Sequence, residues 1–184
     1  MRRITLLLML MAIGLLAVSG VAWAVTKTCP PEPKVCYGTS GDDVLKNTKE
    51  RNAMAGKAGN DTYTNFLKSI AGKDSIGDDS GSKDTLQLTD YSQSELKPAP
   101  ADVNNNGKAD TLVIFLGSQQ NWVALLDYYD DTSSQPPFPT GGGYIEVIQC
   151  KGCSKKKIAA ETSSRGLAEA SDAQIAEVQA QLLR

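Results

Sequence analysis

The sequence predicts a mainly β protein: a short parallel β-roll built from nonapeptide repeats, then a small antiparallel sheet, and a C-terminal helix. Large apolar residues recur every nine positions between residues 38 and 64, in a stretch rich in Gly, Asp and Asn, and such nonapeptides are typical of parallel β-helices. The run TLVIFL at residues 111–116 is apolar and β-branched, as in a strand buried on both faces. Near the C-terminus, Ile175, Val178 and Leu182 have the spacing of one helix face.

The first 24 residues have the pattern of a secretory signal peptide. Two arginines follow the initiating Met, an apolar run extends from Leu6 to Val18, and Ala22-Trp23-Ala24 supplies the small residues that precede a cleavage site. We therefore expect a Sec-type signal at residues 1–24, a mature chain beginning at Val25, secretion, and no membrane insertion after cleavage. An uncleaved anchor is the alternative, because the apolar run approaches the length that spans a bilayer.

The charge balance restricts the chemistry of the chain. It has 19 basic and 21 acidic residues and no His, which excludes Ser-His-Asp and Cys-His catalysis and His-containing zinc sites. The acids are concentrated between Gly38 and Asp131, which argues against a nucleic-acid partner and favours hard cations, since these prefer oxygen ligands. We expect no enzymatic activity, and a hydrolase that uses two carboxylates is the alternative that composition leaves open.

The mature chain divides into four predicted segments. These are a Pro-rich lead at 25–37, degenerate β-roll repeats at 38–88, an antiparallel β region at 89–150, and a basic linker with the C-terminal amphipathic helix at 151–184. Within the antiparallel region the predicted strands are Thr111–Leu116, Trp122–Tyr129 and Tyr144–Ile148, and residues 89–101 are predicted as a polar connection. A capping box from Ser171 to Gln174 begins the helix.

Three consecutive nonapeptides form the repeat: Gly38–Lys46, Asn47–Ala55 and Gly56–Thr64. The first and third fit G-x-x-G-x-D-x-U-x, where U is a large apolar residue. Gly allows a tight turn that exposes carbonyl oxygens, and the Asp adds a carboxylate. These are the oxygen ligands that calcium prefers.

The phrases GTSGDDVL (38–45) and GKAGNDTY (56–63) resemble the haemolysin-type (RTX) calcium-binding repeat family, and a weaker resemblance continues through AGKDSI (71–76) and GSKDTLQL (81–88). The resemblance implies that each nonapeptide is half a coil, so that the first unit stacks on the third with Ca²⁺ between them. The ligands that it implies are the carbonyl oxygens of Gly38, Ser40, Gly56 and Ala58 and the carboxylates of Asp43 and Asp61. Its implied core residues are Leu45, Met54 and Tyr63.

The middle nonapeptide departs from the family pattern. Asn47 and Glu50 stand in place of glycines, Asn52 stands in place of the acid, and the next unit on that edge, residues 65–70, has neither. We therefore expect one calcium site, on the edge that carries Asp43 and Asp61, and none on the opposite edge. The alternative is a roll that keeps the glycine turns without binding metal.

A second oxygen-rich segment runs from Asp102 to Asp110 and fits D-x-[DN]-x-[DN]-G-x-x-D. Oxygen side chains at alternate positions can wrap one cation, and Gly107 allows the bend. Its candidate metal ligands are Asp102, Asn104, Asn106 and Asp110. The Glu and the flanking helices of an EF-hand are missing, and Asn in place of Asp weakens the expected binding. A turn rich in Asn and Gly that simply enters the next strand is an equal alternative.

The four cysteines are Cys29, Cys36, Cys150 and Cys153. In an exported chain an even number predicts disulfides. Local pairings are the simplest, and crossed pairings would tie the Pro-rich lead to the end of the sheet. A four-thiolate zinc site and a redox function of the CxxC motif are further alternatives, although the motif lacks the βαβ context of redox proteins.

These features favour a secreted calcium-binding protein with a structural or interaction role and calcium-dependent folding. No motif indicates which protein or cell surface is its partner. The alternative is a metal-free adhesion or partner-binding domain whose contact surface includes Trp122, Tyr128, Tyr129 and Phe138.

Overall fold

The computed structural model describes residues 23–70, 72–78, 81, 83–102, 110–117, 120–126, 145–153, 176, 178 and 180. The described chain is mainly β, as predicted. Its strands are β1 (Thr26–Thr28), β2 (Val35–Tyr37), β3 (Val44–Lys46), β4 (Ala53–Ala55), β5 (Thr62–Thr64), β6 (Lys73–Gly77), β7 (Thr85–Ser92), β8 (Leu96–Ala101), β9 (Thr111–Leu116), β10 (Asn121–Leu125) and β11 (Val147–Lys151). Short 3-10 helices lie at Lys68–Ile70 and Gln93–Glu95. None of the helices formed by these residues could cross a membrane.

The strands form two sheets, between which the chain alternates from β1 to β7. The first sheet has the order β1-β3-β5-β7-β11, and all its neighbouring strands are parallel. The second has the order β2-β4-β6-β10-β9-β8, and it is parallel up to β10 and antiparallel beyond it. Each pair of successive strands in the roll is therefore one coil, as the resemblance to the repeat family implies.

The nine-residue period of the sequence is half of one coil. Strand β3 pairs with β5 at a separation of 18 residues, with Val44 opposite Thr62. The next coil is longer, because Thr62 pairs with Thr85 and Ala53 pairs with Ser75. The prediction that residues 65–70 are the partner of the middle unit is therefore wrong. Strand β6 takes that place, since the extra residues before it are used to bury Phe66, which is 2% exposed.

The large apolar residue of each nonapeptide points into the core of the roll. The burial pattern of β3, β4 and β5 is the same in each strand: only the middle residue is fully buried. These middle residues are Leu45, Met54 and Tyr63, which confirms the predicted core positions. Burial of these side chains is the main stabilising contribution of each coil, at roughly 25 cal/mol per Å² of apolar surface removed from water.

The antiparallel region differs from its prediction in three ways. Strands β8, β9 and β10 are antiparallel but continue the second sheet of the roll, because β10 pairs in parallel with β6. Strand β11, predicted as part of the antiparallel sheet, is instead parallel to β7 in the first sheet. Residues 89–101 are not a connection, since they complete β7 and form β8. Pro98 and Pro100 fit β8 because it is an edge strand, where a missing N–H need not break the sheet.

The Pro-rich lead is the first coil of the roll, because β1 and β2 pair with β3 and β4. The disulfides have the local pairing: Cys29 bonds to Cys36, and Cys150 to Cys153. Cys29 and Cys36 are both buried in the core of the roll. The first disulfide therefore closes the terminal coil, and the crossed pairings do not occur.

A second, smaller core lies on the other face of the antiparallel strands. Trp122 is 2% exposed there, so the prediction that it belongs to a contact surface is wrong. Tyr128, Tyr129 and Phe138, like the capping box of the predicted C-terminal helix, lie outside the described residues. Within that predicted helix, Val178 is helical and packs fully buried in the same core.

Candidate metal centre

Acidic residues line one edge of the roll, each directly before a strand of the first sheet. Asp43 precedes β3, Asp61 precedes β5, Asp84 precedes β7 and Glu146 precedes β11. We call this set of four the acid edge. Parallel pairing stacks these positions, because strands in register lie about 4.8 Å apart.

The acid edge is a ladder of hydrogen bonds between successive coils. The backbone N–H of Asp43 donates to Asp61 Oδ1 at 2.7 Å, and that of Asp61 donates to Asp84 Oδ1 at 2.6 Å. Asp84 N–H donates to Glu146 Oε2 at 2.6 Å. The first rung is formed by the N–H of Val25, which donates to Asp43 Oδ1 at 2.6 Å. Each carboxylate thus uses one oxygen to accept a backbone N–H of the neighbouring coil, at a position next to the start of a strand.

The second oxygen distinguishes the rungs from one another. Asp43 Oδ2 accepts a hydrogen bond from the backbone N–H of Thr39, and the Thr39 hydroxyl lies 3.1 Å from it. By contrast, Asp61 Oδ2 and Asp84 Oδ2 are buried and have no hydrogen-bond partner among the residues that the structure describes. Both side chains are 0% exposed. A buried, unpaired carboxylate oxygen is costly, which marks this pair as a candidate ligand-binding position.

Asp78 completes a group of three carboxylates at this point. One carboxylate oxygen each from Asp61, Asp78 and Asp84 lie within 4.8 Å of one another. Asp78 follows β6 and so reaches the acid edge from the second sheet. Its Oδ2 accepts the Tyr63 hydroxyl at 2.6 Å, and the Tyr63 oxygen in turn accepts the backbone N–H of Gly56 at 2.9 Å. We call Asp61, Asp78 and Asp84 the acid triad.

Burial and like charges act together on the acid triad. The pKa of Asp61 is raised to about 6, chiefly by burial and also by the negative charges of Asp43 and Asp42, which act against the hydrogen bond from the Asp43 N–H. Burial likewise raises the pKa of Asp84 to about 6, with Glu146 and Asp61 as the like-charged neighbours. The Tyr63 hydroxyl has its pKa raised by burial and by Asp78, so it remains a hydrogen-bond donor. A bound cation would relieve both the repulsion and the burial cost.

Two glycines leave space beside the unpaired oxygens. A Cβ built on Gly56 would collide with Asp61 Oδ2 and the Tyr63 hydroxyl, and one on Gly81 would collide with Asp84 Oδ2. Gly38 has the same relationship to Asp43, where an added Cβ would lie 2.5 Å from Oδ2. The glycine of the repeat is therefore required here for close approach of the backbone to a carboxylate.

The predicted calcium site and the acid triad share Asp61 but lie one coil apart. Asp43 is on the same edge as predicted, yet its second oxygen is already used by Thr39. Gly38 and Ser40 belong to the turn around Asp43, and Gly56 and Ala58 to the turn before Asp61. Metal binding by the carbonyl oxygens of these four residues stays a prediction.

Asp78 and Asp84 were not predicted as ligands. For Asp84 a signal was present, since D-T-L at 84–86 repeats the acid and apolar spacing of D-V-L at 43–45. For Asp78 there was none, because its place depends on where the longer third coil returns to the second sheet. Tertiary structure alone brings it to Asp61 and Asp84.

The opposite edge of the roll is made of amides, as the departures in the middle nonapeptide suggested. Asp74 Oδ1 accepts the Asn52 N–H at 2.9 Å, and its Oδ2 accepts Asn47 Nδ2 at 3.0 Å. Asn52 Nδ2 donates to the carbonyl of Pro30 at 2.7 Å, while its Oδ1 accepts the N–H of Thr48 at 3.0 Å. Here both carboxylate oxygens of Asp74 accept N–H groups, although burial still raises the pKa of Asp74 to about 7.

The second predicted loop joins two adjacent strands. Ala101 pairs with Thr111 at the ends of β8 and β9, so Asp102 and Asp110 flank the mouth of the loop. Asp110 is 5% exposed, and its Oδ1 accepts the Thr111 hydroxyl at 3.3 Å. Asn104 and Asn106 lie outside the described residues. The two ends are thus held close enough to close a loop, and metal binding there stays a prediction.

No family model, curated protein or solved structure matches the chain.

Proposed function

We propose that the chain is a secreted calcium-binding protein with a structural or interaction role, related in design to haemolysin-type repeat proteins as a short, degenerate member. One calcium ion held by Asp61, Asp78 and Asp84 ties two coils and both sheets of the roll together. The observation that carries this proposal is the pair of buried oxygens Asp61 Oδ2 and Asp84 Oδ2, which have no hydrogen-bond partner among the described residues and belong to side chains that lie beside a third carboxylate.

Calcium suits the acid triad better than other common cations. Three carboxylates give hard oxygen ligands and a strong negative charge, and Ca²⁺ accepts irregular geometry with six to eight oxygens. Magnesium demands near-ideal octahedral geometry and dehydrates reluctantly. A Zn²⁺ site is less suited, because the triad offers neither sulfur nor imidazole nitrogen.

The proposal assigns a folding role rather than a catalytic one, and neither nucleic acid nor membrane insertion has a part in it. Asp61 and Asp84 belong to successive coils of the first sheet, and Asp78 follows a strand of the second. An ion between them cross-links elements that are distant in sequence and that repel one another without it. The loop from Asp102 to Asp110 is proposed as a second, weaker site, held by Asp102, Asn104, Asn106 and Asp110.

The test is a calorimetric calcium titration of the mature, oxidised chain. We expect binding near one equivalent from the acid triad, a lower affinity for Mg²⁺, and a higher melting temperature in millimolar Ca²⁺ than in chelator, because a ligand bound only by the folded state stabilises it. Asp84→Asn should abolish the tight phase. The matched control is Asp42→Asn, since exposed Asp42 binds Asn60 N–H at 2.7 Å on the same face but lies outside the triad.

Two results would contradict the proposal. The first is an identical unfolding curve in chelator and in calcium. The second is equal loss of affinity in Asp84→Asn and Asp42→Asn, which would indicate diffuse attraction by the acidic surface instead of a site. Without a calcium effect, a metal-free partner-binding domain becomes the better account.

A further inference from the structure

The first rung of the acid edge differs from the others in its donor. Asp43 Oδ1 accepts the nitrogen of Val25 at 2.6 Å, and Asp43 is 1% exposed. Val25 is the residue at which the mature chain is expected to begin. After cleavage behind Ala24 this nitrogen is no longer an amide but an α-ammonium group, which carries a full positive charge at neutral pH.

We propose that cleavage of the signal peptide creates a structural ion pair between the new α-ammonium group of Val25 and the carboxylate of Asp43. The ammonium group supplies at the first rung the positive charge that calcium supplies at the acid triad. This inference rests on the proposed secretion and on cleavage at this bond.

The surroundings of Val25 are suited to the change from a backbone amide to an α-ammonium group. Trp23 is 75% exposed and Ala24 is exposed, so their removal uncovers no part of the core. Before cleavage the Thr39 hydroxyl donates to the Trp23 carbonyl at 2.6 Å. It also lies 3.1 Å from each carboxylate oxygen of Asp43, so after cleavage it can turn fully to that side chain.

The ion pair also accounts for the difference in hydrogen bonding between Asp43 and the carboxylates of Asp61 and Asp84. The Asp43 carboxylate has the Val25 nitrogen on one oxygen and Thr39 on the other. Asp61 and Asp84 have only a neutral backbone donor on Oδ1 and no partner on Oδ2 among the described residues. The metal ion is therefore needed one coil further on, and the amino terminus neutralises the exposed end of the edge. Processing thus makes the mature chain more stable than its precursor.

The test compares two chains that have the same net charge and differ by one residue at the amino terminus, which moves the amino group away from Asp43. One begins at Val25 and the other at Ala24, both prepared by a protease that leaves no extra residues. Urea unfolding is measured for each in chelator, with the native sequence and with Asp43→Asn. We expect the unfolding constant of the Val25 chain to be about tenfold smaller than that of the Ala24 chain, as for hydrogen bonds to charged groups. Asp43→Asn should remove most of that difference.

Equal stability of the two native chains, or a difference that Asp43→Asn leaves intact, would overturn the ion pair. If the Asp43→Asn chains do not fold, a Val25 chain with an acetylated amino group decides, since it keeps the N–H and loses only the charge. Full stability of that chain would also overturn the proposal. The mass of the exported protein tests the cleavage site independently, and the calcium titration tests the metal centre, so the three failures can be told apart.

Discussion

The carboxylate of Asp84 accepts the backbone N–H of Asp61 at 2.6 Å through one oxygen and leaves its other oxygen buried beside the Asp61 carboxylate. The hydrogen bond fixes the separation of the two coils, and the same bond holds two negative charges together out of water. Asp61 Oδ2 and Asp84 Oδ2 cannot hydrogen-bond to each other when both side chains are ionised, because ionised carboxylates only accept hydrogen bonds. A roll with this edge is therefore expected to depend on a cation at neutral pH.

The first prediction concerns pH in the absence of calcium. Because burial raises the pKa of Asp61 and Asp84 from 3.8 to about 6, the folded state binds more protons than the unfolded state in this interval. The contribution of these two carboxyl groups to stability is fully present below pH 3.8 and is lost as the pH rises through about 6. In chelator, we therefore expect the free energy of unfolding of the native chain to fall as the pH rises from 3.8 to about 6. The fall should be smaller for Asp84→Asn, in which the new side-chain amide can donate to Asp61 Oδ2.

Calcium should cancel this loss, since it binds the ionised carboxylates and gains affinity over the same pH interval. Urea unfolding of both chains at several pH values, with chelator and with calcium, measures the effect. At pH 7, Asp84→Asn should be more stable than the native chain in chelator and less stable than the native chain in calcium. A native chain whose pH dependence matches that of Asp84→Asn under both conditions would contradict the assignment.

The second prediction uses the space that glycine provides. Gly56→Ala should weaken calcium binding by at least tenfold and destabilise the fold by about 2 kcal/mol, since the added Cβ meets Asp61 Oδ2 and the Tyr63 hydroxyl. Gly77→Ala is the matched control, because a Cβ there meets nothing within 4 Å. Calorimetry and thermal unfolding of both variants give the comparison. Similar behaviour of the two variants would show that close approach at Gly56 is not required.

The third prediction separates the two edges of the roll. Asn52→Ala should lower the free energy of unfolding by about 1–3 kcal/mol, because it removes the side-chain donor to the Pro30 carbonyl and the acceptor of the Thr48 hydroxyl. Calcium affinity should stay unchanged, since Asn52 lies on the edge of the roll opposite the acid edge. Calorimetric titration of the folded variant checks this. A loss of calcium affinity as large as that of Asp61→Ala would show that our proposal puts the metal on the wrong edge of the roll.

The fourth prediction distinguishes a metal loop from a turn between β8 and β9. If Asp102, Asn104, Asn106 and Asp110 share an ion, Asn106→Asp should tighten it, because added charge strengthens the attraction for calcium. If the segment is only a turn, the new acid lies near other acids with nothing to balance it. The melting temperature of Asn106→Asp, with and without calcium, decides. We expect a gain in calcium only, and a loss under both conditions would favour the turn.

The sequence by itself determined the features that depend on spacing along the chain. The nine-residue period matches the 18-residue separation of β3 and β5, Leu45, Met54 and Tyr63 were recognisable as the core, and Asn47 and Asn52 indicated amides in place of acids on the second edge. Each of these follows from local rules, because alternation in a strand decides which side chain points inward and residue type decides whether a turn offers charge or amide.

Tertiary structure decided which acids meet. Asp43 and Asp61 fit the repeat equally well, yet Thr39 donates to the second oxygen of Asp43, whereas Asp61 Oδ2 has no partner among the described residues. Asp78 joins the triad because the third coil is longer than 18 residues and returns it to the acid edge from the second sheet. Strand β11 was assigned to the wrong sheet for the same reason: its neighbour β7 lies far away in sequence. Such contacts depend on how loops of unequal length close, and a local pattern carries no information about that.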